Sequence, residues 1–362
     1  MCIITNLTYF YQFIQLRLVS FLIFGLFLCV FLTHAMAFAT GLPQTSVEVH
    51  YLNMLWYSNL YSYVFSYFLP NDEGVNFIAR YFSICCSLSS ICLIACIVRS
   101  WTNDLISASL VAVGFVIFPS IVYVSALATP HSCLMLLSSS VLFFISRHDE
   151  RISKKVFIVI FFLCALMMVL DPLGLVLGFL MLLFTMWRGG YINGRTMNGV
   201  SILYVLVVGV AVIFELLSNV TKGESQLVRV SINYGFLLRN YLMLWVSLLV
   251  SIVIMFAYSG LRSQLIPSVI RWYQLLLFYF LVSIPAIVLY SQDSGFSSAL
   301  LIHTLLPLGI LSTFPLILWS RFVMPKIRSI WVWCLLPVLV YVSFWLILWP
   351  IDLEGFPYDL LV

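Results

Sequence analysis

The chain has 362 residues, of which 63% are hydrophobic and only 8% charged, with a net charge of +4. A soluble globular domain carries about 25% charged residues, so this composition excludes an ordinary soluble fold and points to an integral membrane protein with the lipid bilayer as its surroundings. The positive charge is thinly spread and forms no basic stripe interleaved with aromatics, which excludes nucleic acid as a partner.

A helix needs about 20 apolar residues to cross the hydrocarbon core. Eleven runs are predicted as spans. They are Leu18–Phe38, Phe77–Val98, Asp104–Ser125, His131–Ser146, Val156–Leu170, Leu173–Trp187, Gly199–Glu215, Leu237–Gly260, Trp272–Tyr290, Phe296–Trp319 and Ile330–Trp349. The expected fold class is all-α: a polytopic transmembrane helical bundle, one integral membrane domain over 1–362. Within it, 39–76 form an outer loop, 77–190 a helical core and 191–362 the C-terminal spans.

The first run ends Ala35-Met36-Ala37, which resembles a signal-peptide cleavage site, but a single basic residue, Arg17, precedes it. It reads as an uncleaved signal anchor. In the loop that follows, Glu48, Tyr51, Leu52, Leu55, Trp56, Leu60, Tyr63, Val64 and Tyr67 make a helical apolar-aromatic stripe. Such a stripe suits a helix lying in the interface, so one or two interfacial helices are expected there, ended by the turn Pro70-Asn71-Asp72-Glu73-Gly74.

Sidedness follows from Lys and Arg, which are enriched in cytoplasmic loops. With the N-terminus inside, thirteen of the seventeen basic residues are cytoplasmic, among them Arg99, Arg147, Arg151, Lys154, Lys155 and Arg188. The other four, Arg80, Lys222, Arg229 and Arg239, are outside. Ten of the thirteen acids are also outside; only Asp104, Asp149 and Glu150 are inside. An odd span count places the C-terminus outside. Of the nine cysteines, eight lie within spans and Cys2 is cytoplasmic, so no disulfides are expected. Cys92 and Cys96 share a helical face without companion ligands and read as packing residues.

The cytoplasmic loops are short and hold no Gly-rich phosphate loop. No internal repeat of the kind found in many transporters is visible. From Tyr57 to Trp187 a particular order of features stands out: Tyr57-Ser58-Asn59-Leu60-Tyr61, then Phe77-Ile78-Ala79-Arg80-Tyr81-Phe82-Ser83, then Arg99-Ser100-Trp101. After these come Phe118-Pro119-Ser120-Ile121-Val122-Tyr123 and Ser125-Ala126-Leu127-Ala128-Thr129-Pro130-His131. Tyr290-Ser291-Gln292-Asp293 and His303-Thr304-Leu305-Leu306-Pro307 follow late in the chain. This order resembles the polytopic glycosyltransferases of the GT-C class, in particular the protein-mannosyltransferase and aminoarabinose-transferase branch.

The resemblance implies transfer of a sugar from a polyprenyl-phosphate donor to a cell-envelope glycan, lipid or protein on the outer face of the membrane, here most simply a bacterial inner membrane. It also implies a carboxylate on the first outer loop that acts on the acceptor, and basic residues that hold the donor phosphate. The chain departs from the pattern in three places. Met36–Ser46 contains no acid where an Asp-Glu pair is usual. Tyr57-Ser58-Asn59 replaces a His-Pro-Pro-like segment, and His131 stands where an Asp often follows Thr-Pro. Two other functions therefore stay open: a flippase or transporter of lipid-linked saccharide, and a catalytically inactive scaffold of the same fold.

Each candidate residue has two readings. Glu48 is a catalytic base by resemblance, or a loop acid beside His50. Asp171-Pro172 supplies a second candidate carboxylate, or simply an N-cap followed by proline at the first turn. Arg80 and Arg239, each near the start of a span, suit bidentate phosphate contact or snorkel to lipid headgroups. His131 binds phosphate or an acceptor hydroxyl, pairs with Glu48, or caps its helix. His303, inside the tenth span, is a functional candidate because ionisable groups in membranes are costly, or a neutral histidine bonded to a neighbouring helix. Glu48, His50 and His131 lack the fixed spacing of a metal site. No cofactor is read beyond the lipid-linked donor.

Overall fold

The computed structural model describes residues 73–103, 105–117, 119–148 and 152–191, together with scattered residues between 18 and 48. Among them every regular element is a helix. These are α1 (Glu73–Thr102), α2 (Leu105–Ile117), α3 (Pro119–Ala126), α4 (His131–Arg147), α5 (Lys154–Leu170) and α6 (Pro172–Arg188). The described residues between 18 and 40 are helical as well. The predicted spans from Gly199 onward, the aromatic stripe over 51–67, Arg239 and His303 lie outside the described residues.

α1 is longer than the expected Phe77–Val98, by about a turn at either end. Its portion Phe77–Thr102 is long and apolar enough to cross a membrane. It stops at Asn103, whose φ of 55° is left-handed and whose amide donates to the Arg99 carbonyl at 2.8 Å. That is a left-handed cap, and Asn is among the few residues that take it cheaply. Where one span over Asp104–Ser125 is expected, the helical stretches α2 and α3 flank Phe118, which is outside the described residues.

The short helices keep close to their predicted bounds because their caps are local. Ser153 accepts from the Val156 amide and opens α5. Asp171 Oδ2 accepts from the Leu173 amide at 3.0 Å and opens α6, with Pro172 at its first turn. Proline there loses no hydrogen bond that the helix would otherwise make.

α1 packs against α2, α3 and α4; α4 packs against α5 and α6; and α5 pairs with α6 as a hairpin. The core-facing stripe of α1 is Arg80, Ser83, Ile84, Ser87, Ile91, Ile94 and Val98, all buried and spaced as a 3.6-residue period requires. In the hairpin, a Cβ at Gly174 would overlap the Met167 carbonyl oxygen and lie 2.8 Å from Leu134 Cδ2. One at Gly178 would lie 2.7 Å from the Cys164 carbonyl oxygen. The two glycines, four residues apart, let α6 touch the backbone of α5, the close approach that small residues provide between apolar helices.

α5 is apolar on every side. Ile160, Cys164, Met167 and Leu170 face the core, yet Phe162 is 73% exposed, and Ile158, Phe161 and Val169 are exposed with it. Several hydroxyls of the bundle are satisfied within their own helices. Ser89, Ser90, Ser139, Ser140 and Thr185 each donate to the carbonyl four residues earlier in their own helix. This is how a helix satisfies hydroxyls without water.

α1, α4 and α6 start at one end of the bundle and α5 at the other, and this sorts the charges. The start of α1, the α3–α4 loop and the α5–α6 turn share one end. They are joined by contacts from Arg80 and Ala128 to Glu48 and by the approach of Gly174 to Leu134. The opposite end carries the last turns of α1, α4 and α6 and the first turn of α5. There the Phe157 and Tyr191 rings meet at a tilt, 5.1 Å between centroids. Arg99, Arg147, Lys154 and Lys155 all lie at this second end and are exposed, and Arg188 ends α6 there.

Candidate functional site

The buried charged side chains among the described residues sit at the first end of the bundle, around Glu48. Arg80 Nε donates to Glu48 Oε1 at 2.8 Å and Nη2 to Oε2 at 2.7 Å, a bidentate fork. The Arg80 side chain is 4% exposed and that of Glu48 fully buried. The third donor, Nη1, reaches the Ala39 carbonyl at 2.7 Å. Ala128 donates its amide to Glu48 Oε1, also at 2.7 Å.

Each of these contacts has a local cause. A helical carbonyl is normally met by the amide four residues on. For Ala39 that residue is Pro43, which has no N–H. Arg80 supplies the missing donor. In the α3–α4 loop, the Leu127 amide goes to Val124, the Thr129 amide turns back to Leu127, and Pro130 has none to give. The Ala128 amide is left pointing out of that tight turn, and Glu48 receives it. Buried backbone donors are almost always paired; here a carboxylate 80 residues away in sequence does the pairing.

His131 and Asp171 are at the same end. His131 is completely buried at the first turn of α4, directly after Pro130, and Asp171 is 1% exposed at the α5–α6 turn. The structure thus brings Glu48 and Arg80 into contact and sets His131 and Asp171 at the starts of neighbouring helices. Arg239 and His303 lie outside the described residues, as does His50. Among the described residues no group of three or more His, Cys, Asp or Glu side chains could hold a metal ion.

Sequence reasoning treats Glu48 as an acid near the interface and Arg80 as a phosphate or headgroup ligand. The observed geometry has them facing one another in the protein interior. Ala39 and Ala128 carry no side-chain signature, because their contribution is backbone. A signal for Ala39 does exist, namely Pro43 four residues later. For Ala128 there is none in side-chain chemistry.

No protein-family model, curated protein or solved structure matches this chain.

Proposed function

We propose that the protein is an eleven-span integral membrane protein with its N-terminus in the cytoplasm, and that it moves a sugar from a polyprenyl-phosphate donor onto an envelope acceptor. The single observation that carries this reading is a separation of chemistry. Glu48 meets the Arg80 guanidinium at one end of the bundle, the end that also carries Asp171, while the exposed Arg and Lys residues crowd the other. The basic end is cytoplasmic by the Lys/Arg rule, so the Glu48–Arg80 end faces outward. Exposed apolar residues along α5 support a lipid surround, because Phe162 in water would cost roughly 1.5–3 kcal/mol. Phe77–Ser83 and Ser125–His131, which meet at this end, are two of the segments that carry the GT-C resemblance.

Sugar transfer to a hydroxyl needs a carboxylate to receive its proton, and a phosphate leaving group needs cations. At this end Glu48 and Arg80 are engaged with one another and with main-chain groups, so Asp171 is the carboxylate that this reading assigns to the proton. Asp171 offers the cleaner test. Asparagine caps a helix as well as aspartate does, so Asp171→Asn removes the charge and leaves α6 in place. Radiolabelled transfer from a polyprenyl-phosphate sugar in proteoliposomes is expected to fall about 10²–10⁴-fold in this variant. Full activity would take Asp171 out of the reaction.

A second reading is favoured by one observation. Glu48 is wholly buried, and its Oε1 already receives two donors. A scaffold that has kept the fold without the reaction would show this too. It predicts that the wild type releases no labelled product from any polyprenyl-phosphate sugar. The flippase alternative predicts movement of the label across the bilayer with its phosphate linkage intact.

A further inference from the structure

We infer that the Glu48–Arg80 pair is a fastener keyed by backbone polarity, and that its part in the proposed transfer is positioning rather than proton transfer. The second clause rests on the function proposed above; the first does not.

Three separate pieces of chain meet at this pair. Ala39 and Glu48 belong to the first part of the molecule, Arg80 to the start of α1, and Ala128 to the α3–α4 loop. Arg80 donates three times, twice to Glu48 and once to the Ala39 carbonyl. Glu48 accepts from the Arg80 fork and from the Ala128 amide. The loop it grips runs straight into His131 at the head of α4. Fixing Ala128 therefore fixes the turn that presents His131, with no direct contact between the carboxylate and any reacting group required.

The order of the two charges is not arbitrary. A carbonyl, the negative end of a dipole, faces the guanidinium, and an amide hydrogen, the positive end, faces the carboxylate. Reversing the pair would set a carboxylate against the Ala39 oxygen and a guanidinium against the Ala128 hydrogen. The ion pair itself would survive this exchange; its two backbone partners would not. A surface salt bridge is indifferent to such a swap. An Arg-to-Lys change is also informative, because lysine keeps the charge but lacks the planar fork.

The experiment compares Glu48→Gln, Arg80→Lys, the exchange Glu48→Arg/Arg80→Glu, and the apolar pair Glu48→Met/Arg80→Met in the full chain. Melting temperature in detergent and sugar transfer in proteoliposomes are both read. Removing one partner leaves a buried charge uncompensated, whereas replacing both with apolar groups of similar volume is often tolerated. Glu48→Gln, Arg80→Lys and the exchange are each expected to lower the melting temperature, by on the order of 10 °C for Glu48→Gln. The Met pair leaves no buried charge but takes their partners from the Ala39 carbonyl and the Ala128 amide, so it is expected to melt below wild type and above Glu48→Gln. An exchange as stable as wild type would overturn the fastener and its polarity, and so would an unperturbed Glu48→Gln.

Transfer tests the positioning clause. The Met pair is expected to keep at least about a tenth of wild-type activity, since general acid–base groups contribute about 10²–10⁴-fold. A Met pair that folds but has lost activity by that larger factor would make Glu48 a reacting group. Should the Met pair fail to fold, Arg80→Lys carries the same question. Per folded molecule, a changed KM with kcat within about tenfold of wild type supports positioning, and a kcat lower by about 10²–10⁴-fold contradicts it. A wild type inactive toward every donor would refute the transferase reading, while the melting temperatures would still decide the fastener.

Discussion

Removing one charge from the Glu48–Arg80 pair costs more than removing both. The orphaned partner keeps its desolvation penalty and loses its compensation, which for buried pairs amounts to about 3–5 kcal/mol. A domain's whole stability is roughly 5–15 kcal/mol, so Glu48→Gln is expected to reduce the yield of folded, inserted protein, measurable by size-exclusion chromatography in detergent. A yield equal to wild type would mean that Arg80 finds another partner. Asp171 behaves differently because its structural task, accepting from the Leu173 amide, is one that asparagine also performs. Asp171→Ala should cost about 0.5–2 kcal/mol as a lost cap, and Asp171→Asn much less, a difference that thermal melts of the two variants resolve.

At the scale of the helix, contact and exposure set opposite tolerances. Gly174 has the Met167 carbonyl where a Cβ would go, so Gly174→Ala must move α6 away from α5. Overpacking of this kind costs about 1–3 kcal/mol or more, and Gly25, with nothing within 4 Å of its built Cβ, is the control that should tolerate alanine. Phe162, at the centre of α5 and 73% exposed, faces lipid in the proposed reading. Phe162→Asp should then impair insertion by about 2.5–3.5 kcal/mol, read as a fall in the membrane-inserted fraction. Unchanged insertion would mean that this face of α5 lies against water. The starts of α4, α5 and α6 were legible in the chain to within two residues, and for α6 the cause is local chemistry, an Asp171 N-cap followed by Pro172. The far end of α1 was not. Val98 ends the strongly apolar run, but the helix continues to Thr102, where Asn103 offers a left-handed cap that hydropathy does not register. The site was half legible for a related reason. Candidate side chains can be named from residue type, and His131, Asp171, Glu48 and Arg80 were. Which of them touch depends on contacts between residues 32 to 80 positions apart, and on main-chain groups at Ala39 and Ala128 that carry no residue-type signature.

For the whole molecule, sidedness and chemistry go together. Arg99, Arg147, Lys154 and Lys155 share one end and the Glu48–Arg80 pair the other, so a reporter inserted after His148 should be active only in the cytoplasm. One fused after Val362 should be active only outside if there are eleven spans. A cytoplasmic signal at Val362 would require an even count and would move the C-terminal half of the charge partition to the wrong side. The most direct test of the central claim is transfer by the purified wild-type protein in proteoliposomes of known orientation. Radiolabelled polyprenyl-phosphate sugars serve as donors, and a membrane-impermeant acceptor is supplied on one side at a time. The account predicts labelled product only when the acceptor is on the Glu48–Arg80 side, and none when a nucleotide sugar replaces the lipid donor. Product formed at the Arg147–Lys155 side, or no product from any lipid-linked donor on either side, would contradict it.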